Sequence, residues 1–172
     1  MQYQTALTRV RKTMMDKHQL QVMFSSKAND WSTPQEFFDK LNWRFGPFDL
    51  DPCATPHTTK CLNFFTEVED GLLKDWGGHC AFVNPPYGRT IAQWVKKSYI
   101  EAQKENTKIV MLVPARTDTK YWHDYIMKAQ EIYFVRGRLK FGESVNSAPF
   151  PSAVVVFESG VSKHQAIGVI GR

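Results

Sequence analysis

The residues with the most chemistry to offer lie in one short run, Val83-Asn84-Pro85-Pro86-Tyr87-Gly88, at the end of the apolar stretch Cys80-Ala81-Phe82-Val83. Two prolines cannot continue a β ladder and Gly88 favours a bend, so the run reads first as a turn leaving a strand. It carries more than a turn needs. Asn84 offers a carbonyl oxygen as acceptor, Pro85 and Pro86 hold the next carbonyls in place without adding donors, and Tyr87 offers an exposed flat face for stacking. These parts suit methylation of an exocyclic amine on a planar base. The lone pair of such an amine is delocalised into the ring, which makes it a poor nucleophile. Two neutral acceptors, the Asn84 side chain and the Pro85 carbonyl, could grip both amino hydrogens and favour a pyramidal, more nucleophilic nitrogen. Positive charge then develops as the nitrogen attacks a sulfonium methyl, and the carbonyl dipoles and the Tyr87 face would stabilise it there. No strong base is required before the methyl moves.

Composition bounds the setting. A chain of 172 residues is one domain, long enough to bury roughly two-thirds of its unfolded surface. Its 42% hydrophobic and 13% aromatic content is that of a globular protein. The net charge of +5 is compatible with a polyanionic partner without establishing one. No apolar run approaches the roughly 20 residues of a membrane span, and the N-terminus lacks a signal-peptide core, so a cytoplasmic protein with no membrane partner is expected. Cys53, Cys61 and Cys80 cannot all pair with one another. With His57 and His79 they form a loose series that lacks a tight Cys-x-x-Cys knuckle, and no metal is expected.

The elements that must position Asn84 can be read along the chain. Residues 1–23 form a basic arm carrying Arg9, Arg11, Lys12, Lys17 and His18, suited either to fraying or to lying along phosphates. Thr33 reads as a helix N-cap, with Pro34 first in the helix and Glu36 completing a capping box. Phe37, Phe38, Leu41 and Phe45 give that helix a core face, and Gly46-Pro47 stops it. A short strand then ends in an acid, Asp51, with Asp49 competing for its role. In open α/β sheets ligands sit beyond the carboxyl ends of strands, where an acid can bind a cofactor amine or ribose. After a strand-like 62–66, Glu67, Glu69 and Asp70 approach an Asp-Gly turn.

Beyond Gly88, the stripe of Ile91, Trp94, Val95, Ser98 and Ala102 predicts an amphipathic helix with Lys96, Lys97, Glu101 and Lys104 on its solvated side. Ile109–Val113 reads as a buried parallel strand, with Arg116 just past its carboxyl end. Trp122, Tyr125, Ile126 and Ala129 predict another helix. Strands over 132–135 and 151–157 flank a polar connection carrying Arg136, Arg138 and Lys140, and 166–170 reads either as a short strand or as unstructured. Periodicity alone therefore supports an α/β domain with several central strands.

Asn84-Pro85-Pro86-Tyr87 resembles motif IV of the amino-methyltransferases that use S-adenosylmethionine, whose members act on adenine N6, cytosine N4 or a glutamine amide. Thr33-Pro34 resembles the Thr-Pro element that contacts the methionine end of the cofactor. Asp51-Pro52 resembles motif I, departing from it in that Cys-Ala-Thr-Pro follows in place of Gly-x-Gly. Glu67 and Asp70 fall in the region of motifs II and III. The order Trp-x-Thr-Pro-Gln, Leu-Asp-Pro-Cys-Ala, Asp-Gly-Leu, Asn-Pro-Pro-Tyr, Pro-Ala-Arg-Thr-Asp-Thr, Gly-Arg-Leu-x-Phe and Pro-Ser-Ala is similar to the small phage and prophage Dam-like DNA adenine-N6 methyltransferases over about residues 24–157.

That resemblance implies a single-domain Rossmann-like methyltransferase fold over 24–160, followed by a tail or short strand over 161–172. Its sheet would be mostly parallel with an antiparallel last strand and helices on both faces. Asn84, Pro85, Pro86 and Tyr87 would be catalytic, and Thr33, Pro34, Asp51, Pro52, Glu67 and Asp70 would hold S-adenosylmethionine. Arg116, Arg136, Arg138 and Lys140 would contact double-stranded DNA. A phage-encoded protein would work in the host cytoplasm. With little chain left for a separate recognition domain, loops around 115–121 and 136–150 or the basic arm would read a short or relaxed sequence. The alternatives are an RNA adenine or protein glutamine methyltransferase, or a decayed, non-enzymatic DNA-binding module.

Overall fold

The computed structural model describes residues 32–142, 144–160 and 165–172. The basic arm expected over 1–23 lies outside them. Seven strands form one sheet: β1 (Leu50–Asp51), β2 (Asn63–Phe64), β3 (Cys80–Val83), β4 (Lys108–Pro114), β5 (Glu131–Arg136), β6 (Ser152–Glu158) and β7 (Ala166–Gly171). Their order across the sheet is β2-β1-β3-β4-β6-β5-β7. The first four strands are mutually parallel, whereas β6 runs antiparallel to both β4 and β5. Two reversals restore direction, so β5 points the same way as β4, and β7 pairs in parallel with β5. The mostly parallel sheet with an antiparallel strand matches the expected fold class. The reversed strand is the sixth, and one more parallel strand is added after it at the edge. Six strands therefore deliver their carboxyl ends to a single edge of the sheet.

Apolar side chains cover both faces. Along β4, Ile109, Met111 and Val113 point to one face and Val110 and Leu112 to the other, all of them fully buried. This is why the run lacks alternation. On the first face sit α2 (Ile91–Glu101), α3 (Lys120–Asp124) and Trp76, which stacks on Trp94 at 6.1 Å. On the second lies α1 (Gln35–Phe45), burying Phe37, Phe38, Leu41 and Phe45 against Phe48, Phe82 and Val110. No described helix is long and apolar enough to cross a membrane.

Three local expectations need correction. The first is the capping box: α1 begins at Gln35 behind Pro34 with no side-chain cap, and the Pro34 carbonyl accepts from the Phe37 and Phe38 amides. Pro34 leaves no N–H to cap and fixes the entry, which frees the Thr33 side chain for another partner. The second is the helix expected to run through Ala129, which stops at Asp124. Tyr125 takes a non-helical conformation and a 3₁₀ turn, Ile126–Lys128, follows. Ile126 and Ala129 are still buried, so the stripe was a core signal more than a helix signal. Third, Glu101 is not solvated. It is 3% exposed and accepts from the Trp76 amide at 2.8 Å and from Lys97 and Lys104 at 2.7 Å. Burial raises its pKa, but the bonds from Lys104, Lys97 and Trp76 outweigh that and hold it below the ordinary glutamate range.

Candidate active site

Asp51 ends β1 at the shared carboxyl edge and is 5% exposed. Among the described residues its two oxygens accept only long bonds, 3.4 Å from the Cys53 amide and 3.4 Å from the Lys60 amide. Burial pushes its pKa up to about 6, opposed by those two amides and by the Lys60 charge. Asp49, the competing acid, is spent elsewhere. At the opposite end of β1 it accepts from the Cys80 amide and pairs with His79 Nδ1, both at 2.8 Å. Of the two acids, Asp51 alone occupies the ligand edge. A buried carboxylate with two stretched bonds suits a ligand that brings N–H or O–H donors.

The turn after Asp51 is built without glycine. Thr55 and Thr58 exchange hydroxyl and amide bonds of 2.9 to 3.2 Å, while the Ala54 amide reaches Phe65 O and the Phe65 amide returns to Asp51 O. Threonine side chains here close the bend that Gly-x-Gly would close by backbone freedom alone.

Asp70 joins this group through its neighbour. A Cβ on Gly71 would lie 1.9 Å from the Pro52 carbonyl oxygen, so only glycine lets the Asp-Gly turn rest on the Asp51-Pro52 turn. Trp76 fixes it from below, donating Nε1–H to Gly71 O at 2.9 Å. Asp70 adopts φ 52 and accepts from the Leu72 amide at 3.1 Å. Gly71→Ala is therefore expected to lower unfolding stability by about 2–3 kcal/mol, as overpacking against backbone does, measurable by urea denaturation. Glu67 stays exposed on the preceding turn, where Glu69 performs the closure by accepting from both the amide and hydroxyl of Thr66 at 2.9 Å.

Asn84 leaves β3 one step along the sheet from Asp51. Its Nδ2 donates to Thr33 Oγ1 at 3.0 Å, and its Oδ1 accepts from the Tyr87 hydroxyl at 2.6 Å. Pro85 is buried and Pro86 exposed. Tyr87 differs from the exposed aromatic read from the sequence. It is half-buried, its hydroxyl also lies 3.2 Å from the Leu112 carbonyl, and its ring meets Phe150 and Phe141 edge-on at 5.4 and 5.9 Å. Burial, with a smaller contribution from Cys53, holds its phenol well above the ordinary tyrosine range. Cys53 bridges the two halves of the site. Burial and then the Asp51 charge raise its thiol pKa, opposed by a backbone hydrogen bond with Asn84, so it is a neutral thiol.

Arg116, Arg136, Arg138 and Lys140 are all exposed along the same edge. Arg116 follows β4 directly. Arg136 is the last residue of β5, and Arg138 and Lys140 follow it on the segment whose Phe141 ring meets Tyr87. Several contacts had no signal strong enough to single them out in the sequence: Leu112 O, the thiol of Cys53, and the Phe141 and Phe150 rings beneath an otherwise polar loop. The Gly142 amide also bonds to Ser32 O at 2.8 Å, joining that loop to the segment before α1. No group of three or more His, Cys, Asp or Glu side chains able to hold a metal occurs among the described residues.

A mixed sheet of this order, presenting an acid on one parallel strand and a carboxamide with two prolines on the next, defines a Rossmann-like methyltransferase. The chain belongs to the DNA N-6-adenine-methyltransferase (Dam) family, whose sequence model matches residues 22–168. It is 33% identical over 135 residues to the DNA N-6-adenine-methyltransferase of Haemophilus phage HP1, covering 74% of this chain and 78% of that protein. With the DNA N-6-adenine-methyltransferase of Escherichia phage T1 it shares 37% identity over 110 residues, 63% of this chain and 45% of that longer protein.

Proposed function

We propose that this protein transfers a methyl group from S-adenosylmethionine to N6 of an adenine flipped out of double-stranded DNA. One observation carries the reading: in a chain of this family, the Asn84 carboxamide and the buried Asp51 carboxylate stand on adjacent strands at the same sheet edge. Asp51 with Pro52, the Asp70 turn and Pro34 would hold the cofactor. Bound there, S-adenosylmethionine supplies an electrophilic methyl group.

The remaining work falls to the chain itself. Asn84 Oδ1 and the Pro85 carbonyl accept the two amino hydrogens, orienting N6 and stabilising the positive charge it acquires as the methyl's bond to sulfur gives way to one with nitrogen, after which N6 loses one proton to solvent. Pro86 fixes the turn that aims them, and Tyr87 stacks on the base. The phenol and the Cys53 thiol both remain protonated, so neither competes as a base or nucleophile. Flipping costs a few kcal/mol and is needed because N6 cannot enter a cleft from within the stack. Arg116, Arg136, Arg138 and Lys140 hold the flanking phosphates, and the loops that carry them read a short sequence.

The test is transfer of radiolabelled methyl from S-adenosylmethionine to unmethylated duplex DNA, beside RNA and protein acceptors, with nucleoside analysis of the product. N6-methyladenine in DNA is the expected result. Label confined to RNA or protein would sink the DNA assignment and keep the methyltransferase class.

A further inference from the structure

We infer that Thr33 is a positioning residue for the Asn84 carboxamide, holding that amide where it meets the target amine. The inference rests on the function proposed above, and it gives Thr33 a different task from a helix cap or a cofactor contact.

Thr33 is 4% exposed, directly before the helix that its hydroxyl could have capped. The hydroxyl makes no cap bond. Among the described residues its one hydrogen-bond partner is Asn84 Nδ2, at 3.0 Å. A buried hydroxyl must be satisfied, and here it is committed to one side chain 51 positions away in sequence. The amide it holds has two ends of opposite character. Only the oxygen can accept an amino hydrogen; the NH₂ end presented to a target amine would set donor against donor.

A free asparagine samples both orientations, which are nearly equal in shape. Two fixed neighbours hold the side chain in place, each through a hydroxyl able to donate or accept. The Tyr87 phenol, kept protonated, donates to Oδ1 from one side, and Thr33 Oγ1 accepts from Nδ2 on the other. A carboxamide oxygen has two lone pairs, and Tyr87 uses one of them. Thr33 thereby pre-organises an acceptor whose reorientation would otherwise add to the barrier of transfer.

The test uses the full chain with Thr33→Val, which keeps the shape and removes the oxygen, and Thr33→Ser, which keeps the oxygen. The first readout needs no ligand: the side-chain ¹⁵N–¹H₂ resonances of Asn84, assigned by their loss in Asn84→Ala. Thr33→Val should move them toward free-amide values, and Thr33→Ser should leave them near wild type. The second readout is single-turnover transfer to DNA at saturating S-adenosylmethionine. The expected result is a fall of roughly 10–100-fold in Thr33→Val, with cofactor Kd within about 2-fold and the rate recovered in Thr33→Ser.

Unchanged Asn84 resonances in Thr33→Val overturn the contact. A raised cofactor Kd with an unchanged rate at saturation makes Thr33 a cofactor ligand and overturns the positioning role. A wild type that transfers no methyl to DNA while its resonances respond as expected defeats the proposed function, and the catalytic role of Thr33 with it. A wild type that is active beside an equally active Thr33→Val defeats the positioning role alone.

Discussion

Asn84→Ala is expected to lower methyl transfer by at least roughly 10²–10³-fold while leaving S-adenosylmethionine affinity within about 2-fold, because it removes an acceptor that counts only where charge develops. The protein should remain folded. The change strands the Thr33 hydroxyl, which is buried, but the Tyr87 phenol keeps the Leu112 carbonyl within 3.2 Å. A stability loss of about 1 kcal/mol is the expected scale for one buried hydroxyl. Asn84→Asp separates the two functions of the side chain. It keeps oxygen acceptors facing the base and loses the NH₂ end, so it should retain more transfer than alanine. Single-turnover rates at saturating cofactor, set beside calorimetric cofactor titrations, check both statements. A loss of cofactor binding that parallels the loss of rate would place Asn84 in the wrong half of the site.

Asp51 should make the ligand-free protein less stable as pH rises. Its pKa is raised from 3.8 to about 6 by burial, so between those values the folded chain holds a proton that the unfolded chain has lost. The stabilising contribution is complete below about pH 4 and gone above about pH 6. The whole difference is on the order of 3 kcal/mol, with about half of it falling between pH 5 and 8. Lys60 and the thiols of Cys53 and Cys61 are the titratable groups coupled to it. Asp51→Asn should flatten this part of the profile in urea unfolding measured from pH 5 to 8. Cofactor donors that favour the carboxylate reverse the relation for binding: affinity should rise with pH through about 6, with proton release visible as a buffer-dependent heat. In Asp51→Asn the affinity should fall about 10–100-fold and lose that dependence, as expected for one charge-assisted contact. A wild type whose stability does not change over this range would show that the carboxylate is not desolvated.

How much of this could be read beforehand depended on how local each cause was. The continuous apolar run of β4 and the phenylalanine stripe of α1 are set by their own residues, and both form as read. Asp51 and Asn84 were identifiable because a strand end is a place where side chains reach ligands. Whether Asp49 or Asp51 faced that edge was not legible. It turns on the Cys80 amide and His79 capturing Asp49, from a strand about 30 residues away. Thr33 was assigned to the helix beside it in sequence and is instead taken by Asn84. Tyr87 was read as exposed because nothing local announces that Phe141 and Phe150 return to pack against it. Glu101 was read as solvated since its face is rich in lysine, yet the Trp76 amide draws it inward. In each case the deciding partner is distant in sequence, where short-range patterns carry no weight.

The reversed strand also sets the order in which this chain can assemble. In sequence β6 follows β5, but in the sheet it lies between β5 and β4. Until residues 152–158 arrive, β4 has a partner on one edge only, and β5 has nothing joining it to the rest. On the ribosome, a nascent intermediate that ends between β4 and β6 therefore presents the open side of a fully apolar-cored central strand. Such an edge invites pairing with another chain. Completing the sheet is thus a late, non-local step, and slow emergence of β6 should favour aggregation over folding.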